Sequence, residues 1–145
     1  MRINDVLRVK GGQVVTVSPE TRVDALLTVL AEHRIGAIVV SADGSRVDGI
    51  VSERDIVRAL AARGAAVLSE PVTAIHTTEV HTVAPDAPLE DVERLMTERR
   101  FRHVPVVVDG TLRGIVSIGD VVKERIGELE TERSSLAGYI TGERF

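Results

Sequence analysis

Two stretches of the chain place apolar side chains at helical spacing: Val23, Leu26, Leu27 and Leu30 in the first, Leu89, Val92, Leu95 and Met96 in the second. Each spacing predicts an amphipathic helix with one face turned to a core. Proline and acidic residues just upstream of each stretch are helix-entry signals. Downstream the pattern changes to short β-branched runs, Ile38-Val39-Val40 and Val104-Pro105-Val106-Val107-Val108. Each run leads to an Asp-Gly pair, a strong hairpin signal, and then to Gly-Ile-Val-Ser. A further helix is predicted from near Ser52, carrying Ile56, Val57 and Leu60, and from near Ser117, carrying Val121, Val122 and Ile126.

The same order occurs twice because the sequence repeats. Thr16-Val17-Ser18-Pro19-Glu20 aligns with Thr82-Val83-Ala84-Pro85-Asp86, and Asp43-Gly44 with Asp109-Gly110. Gly49-Ile50-Val51-Ser52-Glu53-Arg54-Asp55 aligns with Gly114-Ile115-Val116-Ser117-Ile118-Gly119-Asp120, with one residue of difference in the turn. Each unit reads strand–helix–strand–strand–helix, an α/β fold of the α+β kind. A unit of about 60 residues buries too little surface to be comfortable alone, so the two are expected to pack sheet against sheet around one shared aliphatic core.

The first unit, with its lead-in and linker, is assigned to residues 1–70, the second to 71–127, and a helix extension with a short docking tail to 128–145. Residues 63–71 form the linker, and the short apolar segments 3–7 and 72–76 lead into the two units, Gly11-Gly12 lengthening the first.

Composition narrows the function. With two Phe, one Tyr and no Trp, the core must be aliphatic. A formal net charge of −4 argues against general nucleic-acid binding, which needs surplus cations. The absence of cysteine excludes disulfides and thiol chemistry. No apolar run approaches the ~20 residues of a membrane helix, and no secretory leader is visible, so a soluble, cytoplasmic protein is expected.

The chemistry lies in the repeated segment. Ser52 and Ser117 each stand three residues before a carboxylate, Asp55 and Asp120, where a strand passes into a helix. In the structural reading, serine caps the helix and aspartate suits its dipole. In the binding reading, the helix N-terminus and serine hydroxyl receive a phosphate, and the aspartate accepts two bonds from a ribose diol. Neither arrangement cleaves a bond, so no enzyme is expected. The histidines, His33, His76, His81 and His103, have no metal-ligand spacing.

The whole pattern, from about residue 3 to 127, resembles a CBS-domain pair, or Bateman module, whose signature is the segment found at residues 49–55 and 114–120. The resemblance implies pseudo-twofold packing of two β-α-β-β-α units, clefts for AMP, ATP, NAD(H) or S-adenosylmethionine, and assembly as a homodimer. It places Asp55 and Asp120 on ribose hydroxyls, Ser52 and Ser117 near phosphate or ribose, and the backbone around Thr16, Ile38, Thr82 and Val104 on adenine. Arg102 and His103, at the end of the basic cluster Arg99-Arg100-Phe101-Arg102-His103, stand where the family commonly places phosphate-binding cations. The equivalent Gly36 and Ala37 carry no charge, so the clefts are expected to be unequal, Asp120 anchoring the better one and Arg54 supplying a cation to the other. Arg99 is read as a solvated helix end. The similarity to small stand-alone pairs with a Tyr-Ile-Thr-Gly tail, here residues 139–142, places AMP and NAD(H) first. The function expected is a regulatory sensor of an adenosine-containing ligand with an unknown effector; the alternative is a ligand-free scaffold.

Overall fold

The computed structural model describes residues 1–11 and 14–141. Its first unit contains β1 (Thr16–Val17), α2 (Val23–His33), β2 (Ala37–Val40), β3 (Gly49–Ser52) and α3 (Glu53–Arg63), preceded by α1 (Ile3–Lys10). The second contains α4 (Leu89–Arg99), β4 (His103–Val108), β5 (Thr111–Ser117) and α5 (Ile118–Thr141). Both predicted amphipathic helices form, with Val23, Leu26 and Leu30 buried on one and Leu89, Val92 and Met96 on the other.

In the first unit β1 runs parallel to β2, which pairs antiparallel with β3. In the second, β4 and β5 form an antiparallel pair, and the strand predicted at Thr82-Val83 is reduced to one bridge from Val83 to Val106. The Val83 amide donates to the Pro105 carbonyl, and the Val107 amide donates to the Val83 carbonyl. The two Asp-Gly pairs also differ. Asp109 (φ 50°) and Gly110 (φ 77°) make a two-residue turn between β4 and β5, both in the left-handed region that such turns require. Asp43-Gly44 lies instead in a wide loop, because the Asp43 carboxylate draws the amides of Ser45 and Arg46 onto itself at 2.8 Å each. Those bonds hold the Asp43 carboxyl below its ordinary value.

The buried side chains form two clusters rather than the single shared core expected. The reason is an exchange of the lead-ins. The first lead-in is the helix α1, and its Ile3 and Val6 are buried with Leu89, Val92, Val104 and Val116 of the second unit. The amides of Ile3 and Asn4 donate to the carbonyls of Ala87 and Pro85. Conversely, the 3-10 turn Val72–Ala74 buries Val72 with Val23, Leu26, Ile38 and Val51 of the first unit, and the Val72 amide donates to the Thr21 carbonyl. Each unit thus receives a side of its core from the segment that leads covalently into the other.

The exchange explains the glycine that opens each Gly-Ile-Val-Ser segment. A Cβ on Gly114 would stand 2.6 Å from Leu7 Cδ2, and one on Gly49 would run into the His76 ring. Leu7 can rotate its terminal methyl aside; the His76 imidazole is rigid. Gly49→Ala is therefore expected to destabilise the protein by about 1–3 kcal/mol and Gly114→Ala by less. Chemical denaturation of both variants checks the order, and equal losses would contradict it.

The predicted extension of the last helix is present, since α5 continues to Thr141 with Leu129 and Leu136 exposed. Gly12 and Gly142 lie outside the described residues, so the loop and tail readings are only partly within view. Among the described residues, no helix is long and apolar enough to cross a membrane.

Candidate functional site

Both Ser/Asp pairs sit at helix starts, and both form reciprocal caps. In the first unit the Ser52 amide and hydroxyl donate to Asp55 Oδ2 at 2.8 and 3.0 Å, and the Asp55 amide donates to Ser52 Oγ at 3.3 Å. In the second, the Ser117 amide donates to Asp120 Oδ2 at 2.9 Å and the Asp120 amide to Ser117 Oγ at 3.1 Å. These are capping boxes, each satisfying helix amides that would otherwise lack partners. The hydroxyls are engaged in the caps, and in both caps the aspartate Oδ1 accepts no hydrogen bond among the described residues.

The first amide of each helix is tied to the residue just before β2 or β4. The Glu53 amide donates to the Gly36 carbonyl at 2.9 Å, and the Ile118 amide to the Arg102 carbonyl at 2.8 Å. The two sites therefore have the same backbone scaffold, with Gly36 and Arg102 in matching places.

Their surroundings differ. A cleft of about 520 Å³ opens beside the first cap, lined there by Ser52, Arg54, Asp55 and Arg58. Its opposite wall comes from the second unit, through Glu79, His81 and the segment from Arg99 to His103. Arg102 and His103, expected to back Asp120, line the cleft of Asp55 at the start of β4, and Asp120 also acts on the His103 ring. Thr16, Ile38, Thr82, Val104, Ser117 and Asp120 do not line this cleft. Ile38 and Val104 are core side chains, 1% and 0% exposed, so only their backbone could reach a ligand. Thr16 is half-buried in β1, and Thr82 is exposed.

Sequence reasoning missed Arg58 and Arg100 and left Arg99 to solvent. Arg58 follows Arg54 by one helical turn and so shares its face, a signal available in the sequence. Arg100 takes the left-handed conformation that ends α4 (φ 58°), and nothing in the sequence announces that orientation. Arg54, Arg58, Arg99, Arg100 and Arg102 outnumber the acids Glu53, Asp55 and Glu79 on the cleft walls. None of these arginines is in an ion pair among the described residues. Cations that lack acidic partners, beside a carboxylate with an open oxygen, suit a ligand bearing both anionic and hydroxyl groups.

His103 is not one of those cations. Its burial, with the Lys10 and Arg102 charges nearby, outweighs Asp120 and Glu53 and holds the imidazole below its ordinary value. Burial thus works against the charged imidazole at the position where the resemblance places a phosphate-binding cation. Burial raises the Asp120 carboxyl, but hydrogen bonds from Lys10 and Ser117 prevail and leave it lowered. Among the described residues there is no cluster of His, Asp or Glu able to hold a metal.

Residues 5–62 and 72–127, one segment in each unit, match the CBS domain. The chain belongs to the CBS-domain family. As a tandem CBS pair it is a regulatory type of module. It is 34% identical over 148 residues to the mitochondrial CBS domain-containing protein CBSX3 of Arabidopsis thaliana, covering 97% of this chain and 72% of that one. The crystal structure of the CBS-domain protein ATU1752 from Agrobacterium tumefaciens superposes with a TM-score of 0.83 at 44% identity, over 86% of this chain and 99% of that one. The structure of CBSX2 in complex with AMP has a TM-score of 0.72 at 29% identity, over 87% of this chain and 96% of that one. The two matched segments each contain one of the duplicated caps.

Proposed function

We propose that this CBS pair regulates through an adenosine-containing ligand, AMP, ATP or NAD(H), bound in the cleft at Asp55. The observation that carries the reading is Asp55, whose Oδ1 accepts no hydrogen bond among the described residues, on the wall of a 520 Å³ cleft whose arginines have no acidic partners among those residues. Asp55 accepts the ribose hydroxyls, while Arg54 and Arg102 meet phosphate from opposite walls. The AMP complex of CBSX2 supports an adenine nucleotide as the class of ligand. Nothing in the site supplies a base and a nucleophile in register, so the role is regulation and not turnover. A homodimer fits the apolar groove of about 560 Å³ between α2 and α3, where Leu27 and Val57 are exposed, and the exposed Val122, Ile126 and Leu129 on α5.

Thermal-shift and calorimetric titrations with AMP, ATP, NADH and S-adenosylmethionine test the reading; a flat response to all of them overturns it. For NADH, whose diphosphate does not titrate near neutral pH, the pH dependence has a definite sign. Phosphate stabilises the protonated form of His103, so binding takes up a proton, and affinity is expected to rise as pH falls from about 7.5 toward 6. The groups facing the ring are Lys10, Arg102, Asp120 and Glu53. In His103→Gln the pH dependence should disappear; if it persists, His103 does not meet the phosphate.

A further inference from the structure

Thr16, Ile38, Thr82 and Val104, which the resemblance places on adenine, do not line the Asp55 cleft, so a purine held there needs another surface. Flat side chains are scarce in this chain, with two Phe, one Tyr and no Trp. Yet the rings of His81 and Phe101 pair with each other, and both residues line the cleft on the wall opposite Asp55. Their centroids are 4.8 Å apart and their planes are tilted by 35°. Phe101 is half-buried and packs against the core of the second unit, so its ring is anchored from behind. His81 is exposed, in the irregular stretch between Thr77 and Val83 where the expected strand is reduced to one bridge. With one face of its ring on Phe101, the imidazole has a second face for another ring.

Every nucleobase carries a π-face that stacks on aromatic side chains, and the ring pair already has the spacing of such a stack. In a nucleotide the base and the phosphate leave the ribose at different carbons, so a ribose held on Asp55 sends the two apart. We propose that His81, backed by Phe101, is the base platform of the cleft: the purine stacks on the imidazole as the third ring of the series. The ligand is then chosen for its flat base as well as for its phosphate and ribose, and it joins Asp55 of the first unit to an aromatic stack of the second. This rests on an adenosine ligand at Asp55 and goes beyond it in assigning the base to His81 and Phe101.

Calorimetry of the full chain with AMP, ATP and NADH, and with ribose 5-phosphate as the counterpart that lacks a base, tests the assignment. His81→Ala should weaken each adenosine ligand that the wild type binds by roughly 10-fold and leave ribose 5-phosphate unchanged. His81→Phe keeps a ring at the position and should bind within threefold of the wild type. In proton NMR the His81 ring signals should move upfield on adding the adenosine ligand and stay in place with ribose 5-phosphate. His81→Ala affinity equal to the wild type, an equal loss for ribose 5-phosphate, or no upfield movement would overturn the platform and leave the Asp55 reading standing. No binding of AMP, ATP or NADH by the wild type would overturn both.

Discussion

Asp55→Asn is expected to weaken AMP binding by about 10–100-fold, the equivalent of losing ~1.5–3 kcal/mol of hydrogen bonding to a charged acceptor. The fold should be largely unaffected. The amide oxygen of asparagine can still accept from the Ser52 amide, which Asp55 Oδ2 holds at 2.8 Å, so the start of α3 remains capped. What is lost is a second anionic oxygen able to face the ribose. Calorimetry with AMP measures the affinity, and a melting curve of the same sample measures the fold. The companion variant Asp120→Asn is expected to leave AMP affinity unchanged, because Asp120 does not line the cleft. An Asp55→Asn protein that bound AMP within threefold of the wild type would remove Asp55 from the site.

The second large effect lies far from any ligand. Ile3→Ala is expected to cost about 2–5 kcal/mol, the range for removing a large aliphatic side chain from a core, and to lower the melting temperature by roughly 10 °C. The position near the start of the chain would suggest tolerance, since terminal residues of most domains are poorly anchored. Here Ile3 is 0% exposed and packs with Leu89, Val92 and Val104, so its loss opens a cavity in the second unit. Val9, on the same helix but 68% exposed, supplies the control, and Val9→Ala should change stability little. Equal effects of the two substitutions would mean that α1 does not hold the second core.

Ile3 and the cation on Asp120 belong to one element. α1 serves at once as the side of a core, through Ile3 and Val6, and as the carrier of the cation on Asp120. Its docking therefore links the stability of the second unit to the state of that carboxylate. The lowered Asp120 carboxyl gives the linkage a sign. Its contribution to stability is present above the unfolded carboxyl value, about 3.9, and is lost as pH falls through the lower folded value.

How much of this was legible follows from the range of each interaction. The apolar spacing of Val23, Leu26 and Leu30 and of Leu89, Val92 and Met96 is local and periodic, so the helices and their buried faces could be read directly. The caps were equally local, since a serine three residues before an aspartate at a strand end has only the backbone between them. The wide loop at Asp43 escaped because the same Asp-Gly pair serves either a tight turn or an Asx-type loop, and the amides of Ser45 and Arg46 decide between them.

The sequence by itself determined that the fold is duplicated, that the core is aliphatic and that each unit ends a hairpin in a capped helix, because these rest on spacing and composition. Only the tertiary structure decided which unit each lead-in completes and which carboxylate meets which cations. Lys10 reaches Asp120 across 110 residues of sequence, and Arg102 reaches the Asp55 cleft from the second unit. Such pairings follow from how the two units pack, and a pattern that repeats in both halves carries no mark of which half will face which partner.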